Sequence, residues 1–96
     1  MKKFMLLYYG YWEPTQEIKD AWGKWFASIS DRIVDGGNPF GPGREITPTG
    51  SKELPLSTTS LVGYSIINAD NLDAATKLLE GCPIISSVRV YEAMSM

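Results

Sequence analysis

Two segments of this 96-residue chain are apolar at positions of both parities. In Lys3 to Tyr9 (KFMLLYY), Phe4, Leu6 and Tyr8 point one way along an extended chain, while Met5, Leu7 and Tyr9 point the other. Ser60 to Asn68 (SLVGYSIIN) repeats the pattern, with Leu61 and Ile67 on one side and Val62, Tyr64 and Ile66 on the other. A strand of this kind needs cover in front and behind. That need limits the folds open to so short a chain, and it bears on assembly as well as on architecture.

The intervening residues predict helices. Trp12-Glu13-Pro14-Thr15 breaks the first strand and offers Thr15 as an N-cap. Ile18, Trp22, Trp25, Ile29 and Ile33 then recur at spacings of 4, 3, 4 and 4, an apolar stripe on a helix of roughly five turns that Gly36-Gly37 would end. Gly36 to Ser60 is broken by repeated glycine and proline, which leaves room for one short strand at Arg44 to Thr47 and a turn at Thr49-Gly50-Ser51. Asp70, with Asp73 three residues on, reads as the cap of a second helix carrying Leu72, Ala75, Leu79 and Cys82, stopped at Gly81-Cys82-Pro83. Ser87 to Met94 (SVRVYEAM) alternates as a last strand.

The order is β-α-β-β-α-β over one domain, residues 1–96. It predicts an α+β, ferredoxin-like fold: a four-stranded antiparallel sheet with two helices on one face. Two helices cover one face only. The other would leave a contiguous apolar patch in water, larger than monomers ordinarily carry. Covering it is worth roughly ten kcal/mol before association costs, at about 25 cal/mol per Å². A homodimer through the sheet face is the simplest expectation, because a two-fold makes the contact self-complementary. A hydrophobic ligand or the Gly/Pro loop is the other possible cover.

Composition narrows the chemistry. Histidine is absent, which removes the imidazole base of hydrolase triads and every His-containing metal site. One cysteine allows no internal disulfide and no Cys-only cluster. Asp31, Asp35 and Glu45 have no metal-ligand spacing, so neither metal nor cofactor is expected. Nine basic against eleven acidic residues give a net charge of −2, with no field for a phosphate backbone. SLVGYSII offers Tyr64 alone as a stacking platform, so no nucleic-acid partner is expected. No run approaches 18 apolar residues and the first residues show no secretory pattern; a cytoplasmic protein without a membrane partner is expected.

If the strand order of the sheet is 4-1-3-2, the end of the first strand, the start of the first helix and the end of the second meet at one rim. Tyr8, Trp12, Trp22, Trp25, Tyr64, Cys82 and Arg89 become the pocket candidates, aromatic walls with a few polar handles for a small apolar or aromatic ligand. Trp22 and Trp25 fit equally as core, since their spacing is what packing alone demands. Cys82, at a helix C-terminus with no histidine near, reads as a buried thiol rather than a nucleophile. Arg89 either binds an anion or guards an edge strand, and Arg44 has the same two readings. GGNPFGPGR lacks the phosphate-loop pattern and reads as a plain loop, with a lid over the cleft as the alternative.

KFMLLYYG, the Trp-bearing helix from WGKWF to IVDGG, the NPFGP turn, GYSIINADNLDAATKLLEGCP and the closing VRVYEAM resemble the YCII-related (DGPF) domain across nearly the whole chain. The resemblance implies ferredoxin-like subunits that pair into dimeric α/β barrels. Proposed enzymes of that family carry a histidine on the first helix and an aspartate before the proline that ends the second. The histidine position falls at or near Trp25, and Cys82 precedes Pro83, so both groups are replaced here. The resemblance therefore implies the fold, the pairing and a cleft near Trp25, with Trp25 more exposed to a ligand than Phe26. Two functions follow: a binding or accessory domain without chemistry of its own, or a histidine-independent, cofactor-free enzyme using Tyr8, Tyr64, Arg89 or Cys82.

Overall fold

The computed structural model describes residues 1–95. It shows an α+β chain: β1 (Lys2–Tyr9), α1 (Gln16–Ser28), a 3-10 turn (Ser30–Arg32), β2 (Ile33–Asp35), β3 (Gly43–Thr47), β4 (Gly50–Leu54), β5 (Leu61–Ala69), α2 (Leu72–Lys77) and β6 (Ser87–Ala93). β2, β5, β1 and β6 form a four-stranded antiparallel sheet in that order. β3 and β4 form a separate two-stranded hairpin.

The two doubly apolar segments become the two central strands. Phe4, Leu6 and Tyr8 of β1 and Ser65, Ile67 and Ala69 of β5 are buried; they share a core with Trp25 and Ile29 from the first helical segment and Ala75 from α2. Both helices therefore serve one face of the sheet. Met5, Leu7 and Tyr9, with Tyr64 and Ile66, lie half-buried on the other face. Tyr91 pairs with Met5 there and is 55% exposed.

The first helix is shorter than its stripe predicts. It starts as expected, with Thr15 Oγ1 accepting the amide hydrogen of Ile18 at 3.2 Å. It stops at Ser28, whose hydroxyl donates to the Trp25 carbonyl at 2.6 Å and competes with the backbone for it. After the 3-10 turn, β-branched Ile33 and Val34 go extended and take the free edge of β5. Ile33 keeps the helical phase of the stripe by coincidence. It lies opposite Ile67 and packs against the core as a strand residue.

This edge strand displaces the segment expected there. Arg44 to Thr47 is extended, but it pairs with β4 around Pro48-Thr49 and lies outside the main sheet. Beyond Asp35 the edge continues irregularly: Pro39 bridges Gly63, and the Phe40 amide donates to the Val62 carbonyl at 2.7 Å. The register slips between Ile33 and Asp35, and Gly36-Gly37 then carries the chain along β5 rather than ending a helix. Gly37 has φ +80°, and a Cβ there would be driven into the carbonyl oxygen of Tyr64.

The second helix also differs from expectation. Its N-cap is Asn71, whose side chain accepts from the Ala74 amide at 2.8 Å, and not Asp70. It runs six residues, so Leu79 and Cys82 reach the core from turns beyond it. No helix among the described residues is long and apolar enough to cross a membrane.

Candidate functional site: an aromatic cleft

Where β1 ends, Gly10 donates to the Ser60 carbonyl at 2.8 Å and Ser86 donates to the Tyr9 carbonyl at 3.2 Å. These bonds bring the end of β1 level with the starts of β5 and β6. Gly10 has φ +110° and lies so close to Ser86 that a Cβ would clash with it. The chain can then turn outward through Tyr11 and Trp12 before α1 begins.

A cleft of about 390 Å³ opens between that turn, α1 and the Gly36–Phe40 edge. Its size is that of a pocket for a small organic molecule. Trp22 meets Tyr8 edge-on at 5.1 Å between ring centroids and lies 5.8 Å from Phe26. Ile18, Pro39 and Val62 add aliphatic wall, and Tyr11 and Trp12 stand at the rim, Trp12 being 59% exposed. Lys19 is the one charged residue among the described lining.

The hydroxyl of Tyr8 is already engaged. It donates to Ser65 Oγ at 2.9 Å, and Ser65 donates to the Gly36 carbonyl at 2.7 Å. Burial pushes the Tyr8 phenol up to about 12, against the opposing effect of the Ser65 hydrogen bond. It therefore stays neutral near pH 7. The Cys82 thiol is likewise pushed up to about 12 by burial, the wrong direction for a nucleophile.

The pocket candidates divide into two groups. Tyr8, Trp12 and Trp22 border the cleft, and Tyr64 reaches its margin, its ring stacked on Phe40 at 5.6 Å and its hydroxyl 3.4 Å from Asp35 Oδ2. Trp25 lies in the core instead. It is 3% exposed, and its indole N–H donates to the Leu78 carbonyl at 2.8 Å. Cys82 packs against the core and is not part of the cleft lining. Arg89 lies opposite Leu7 on the face away from the helices, its guanidinium 4.6 Å from the Tyr9 ring centroid.

Phe26, Phe40 and Lys19 line the cleft without having been singled out for it. Phe26 falls outside the helical stripe, yet it lies four residues after Trp22, one turn along the same face, and that spacing was its signal. Lys19 reads as a solvated residue between stripe positions. Among the described residues no group of three potential metal ligands comes together. Comparison of the chain with family models, curated proteins and solved structures finds no match.

Proposed function

We propose that this chain is a ligand-binding domain of ferredoxin-like, YCII-related type that holds a small, flat apolar or aromatic molecule in the cleft beside Trp22, without transforming it. The observation that carries this reading is the cleft itself: about 390 Å³, walled by Tyr8, Trp22 and Phe26, with rim aromatics already out in solvent. Aromatic walls of this kind gain from burying a flat ligand and from edge or offset stacking, about 0.5–1.5 kcal/mol per ring pair beyond area alone.

The hydrogen-bonded, neutral Tyr8 and the protonated Cys82 favour binding over catalysis. Proton transfer works best from a group whose pKa lies near the operating pH, and these lie well above it. The sheet order β2-β5-β1-β6, with helices on one face, supports the ferredoxin-like assignment. The half-buried Met5, Leu7, Tyr9 and Ile66 support pairing of two copies through the other face.

Titration of the protein with indole, quinoline and 2-naphthol, followed by tryptophan fluorescence and thermal shift, tests the reading. Saturable binding, lost in Trp22→Ala, is expected. No binding of any probe, or binding that survives that substitution, refutes it. Turnover of a bound probe would favour the cofactor-free enzyme instead.

A further inference from the structure

We propose that the cleft selects flat aromatic molecules carrying one negative charge, a carboxylate first among them, and that Lys19 is the residue that recognises it. The inference rests on the binding reading above and adds the ligand's charge. Lys19 is the single charged residue among the described lining. The nearest carboxylate, Asp35, lies behind that wall, with its oxygens accepting from the Gly37 amide at 2.8 Å and the Tyr64 hydroxyl at 3.4 Å. It also has no acidic partner within salt-bridge distance: the ion pairs among the described residues are Lys2–Glu92, Arg32–Asp31 and Arg44–Glu53.

The acidic neighbours in sequence are directed elsewhere. Asp20 accepts a hydrogen bond from the Gln16 side chain at 2.9 Å, and neither Glu13 nor Glu17 lines the cleft. The other hydroxyls at the site are poorly placed to compete. That of Tyr8 is bonded to Ser65, and that of Tyr64 is directed at Asp35. An anion in the cleft therefore has Lys19, exposed and outside the described ion pairs, as the cation of the lining, while an attached ring meets Trp22 and Phe26.

Selection is local rather than long-range. The chain's net charge of −2 slows the approach of anions rather than steering them, so the preference belongs to dissociation from the cleft. An exposed ion pair changes affinity about two- to fivefold.

Isothermal titration with 2-naphthoate and its neutral isostere 2-naphthamide tests this in low-salt buffer at pH 7, on wild type, Lys19→Met and Lys19→Arg. Wild type should bind the carboxylate up to about fivefold more tightly than the amide. Lys19→Met should erase that preference, and Lys19→Arg should restore it. Equal affinity of wild type for both probes, or a preference that survives in Lys19→Met, overturns the charge inference and leaves the aromatic cleft standing. Failure of both probes to bind overturns the cleft and the charge inference together.

Discussion

The Tyr8 hydroxyl donates to the hydroxyl of Ser65, 57 residues away in sequence, at 2.9 Å, and Ser65 is wholly buried. The contact ties the cleft wall at Tyr8 to the Gly36-Gly37 segment, because the Ser65 hydroxyl in turn donates a hydrogen bond to the Gly36 carbonyl. The two partners are not equivalent. Tyr8→Phe leaves Ser65 bonded to Gly36 and should cost about 1 kcal/mol. Ser65→Ala strands both the tyrosine hydroxyl and a carbonyl, and should cost about 2–3 kcal/mol. Urea unfolding of the two variants checks the order; equal losses, or a larger loss for Tyr8→Phe, would contradict the bonding assignment.

Trp25 and Phe26 are adjacent in sequence but serve different ends. Trp25→Phe gives up the bond to Leu78 and core volume, so stability should fall by about 2 kcal/mol while probe affinity stays within about twofold. Phe26→Ala removes cleft wall, and affinity for quinoline should fall about tenfold with a smaller loss of stability. Parallel unfolding and titration curves separate the two. A larger affinity loss in Trp25→Phe would return that residue to the ligand site.

Half of the molecule was legible in the chain because its signals are local. The two doubly apolar strands, the Thr15 cap and the last strand need only alternation and capping chemistry to be read. The misreadings share one cause, a competition settled by tertiary pairing. Ile33 continues a helical stripe on paper, yet the open edge of β5 offers hydrogen bonds that a further helical turn does not. Arg44 to Thr47 has strand character but finds its partner in Gly50–Leu54, leaving the sheet edge to residues eleven positions earlier. Trp25 and Trp22 share one apolar stripe, and only the tertiary packing distinguishes them: Trp25 is buried with its indole N–H on the Leu78 carbonyl, while Trp22 borders the cleft.

Alkaline pH should weaken the fold through Cys82 and Tyr8. Both hold their protons more tightly when folded, near 12 against ordinary values of 9.0 and 10.0. The stabilisation is complete below pH 9 and is lost as the pH climbs toward 12, because the unfolded chain ionises first. Cys82→Ala should remove the part that begins near pH 9, so its unfolding midpoint should fall less than that of wild type between pH 8 and 11. At pH 8 the thiol should react with iodoacetamide at least about a hundredfold more slowly than free cysteine. Rapid alkylation of the folded protein would show that the thiol is not held protonated.

The apolar sheet face makes assembly testable. Leu7→Asp and Met5→Asp each place a charge at the centre of the proposed subunit contact, on side chains already half-buried within one copy. Sedimentation equilibrium should give a dimer for wild type and monomers for both variants. A wild-type monomer at high concentration, or dimers that persist in both variants, would contradict pairing through that face.

The aromatic cleft is the centre of this account, and its three tryptophans report on it separately. Trp12 stands at the rim, Trp22 forms the wall, and Trp25 is bonded to Leu78 behind it. A 15N-correlated NMR spectrum of the indole N–H groups, recorded while quinoline is added, should move the Trp12 and Trp22 signals and leave that of Trp25 in place. Shifts confined to Trp25, or no indole shift at saturating quinoline, would contradict a binding site between α1 and the Gly36–Phe40 edge.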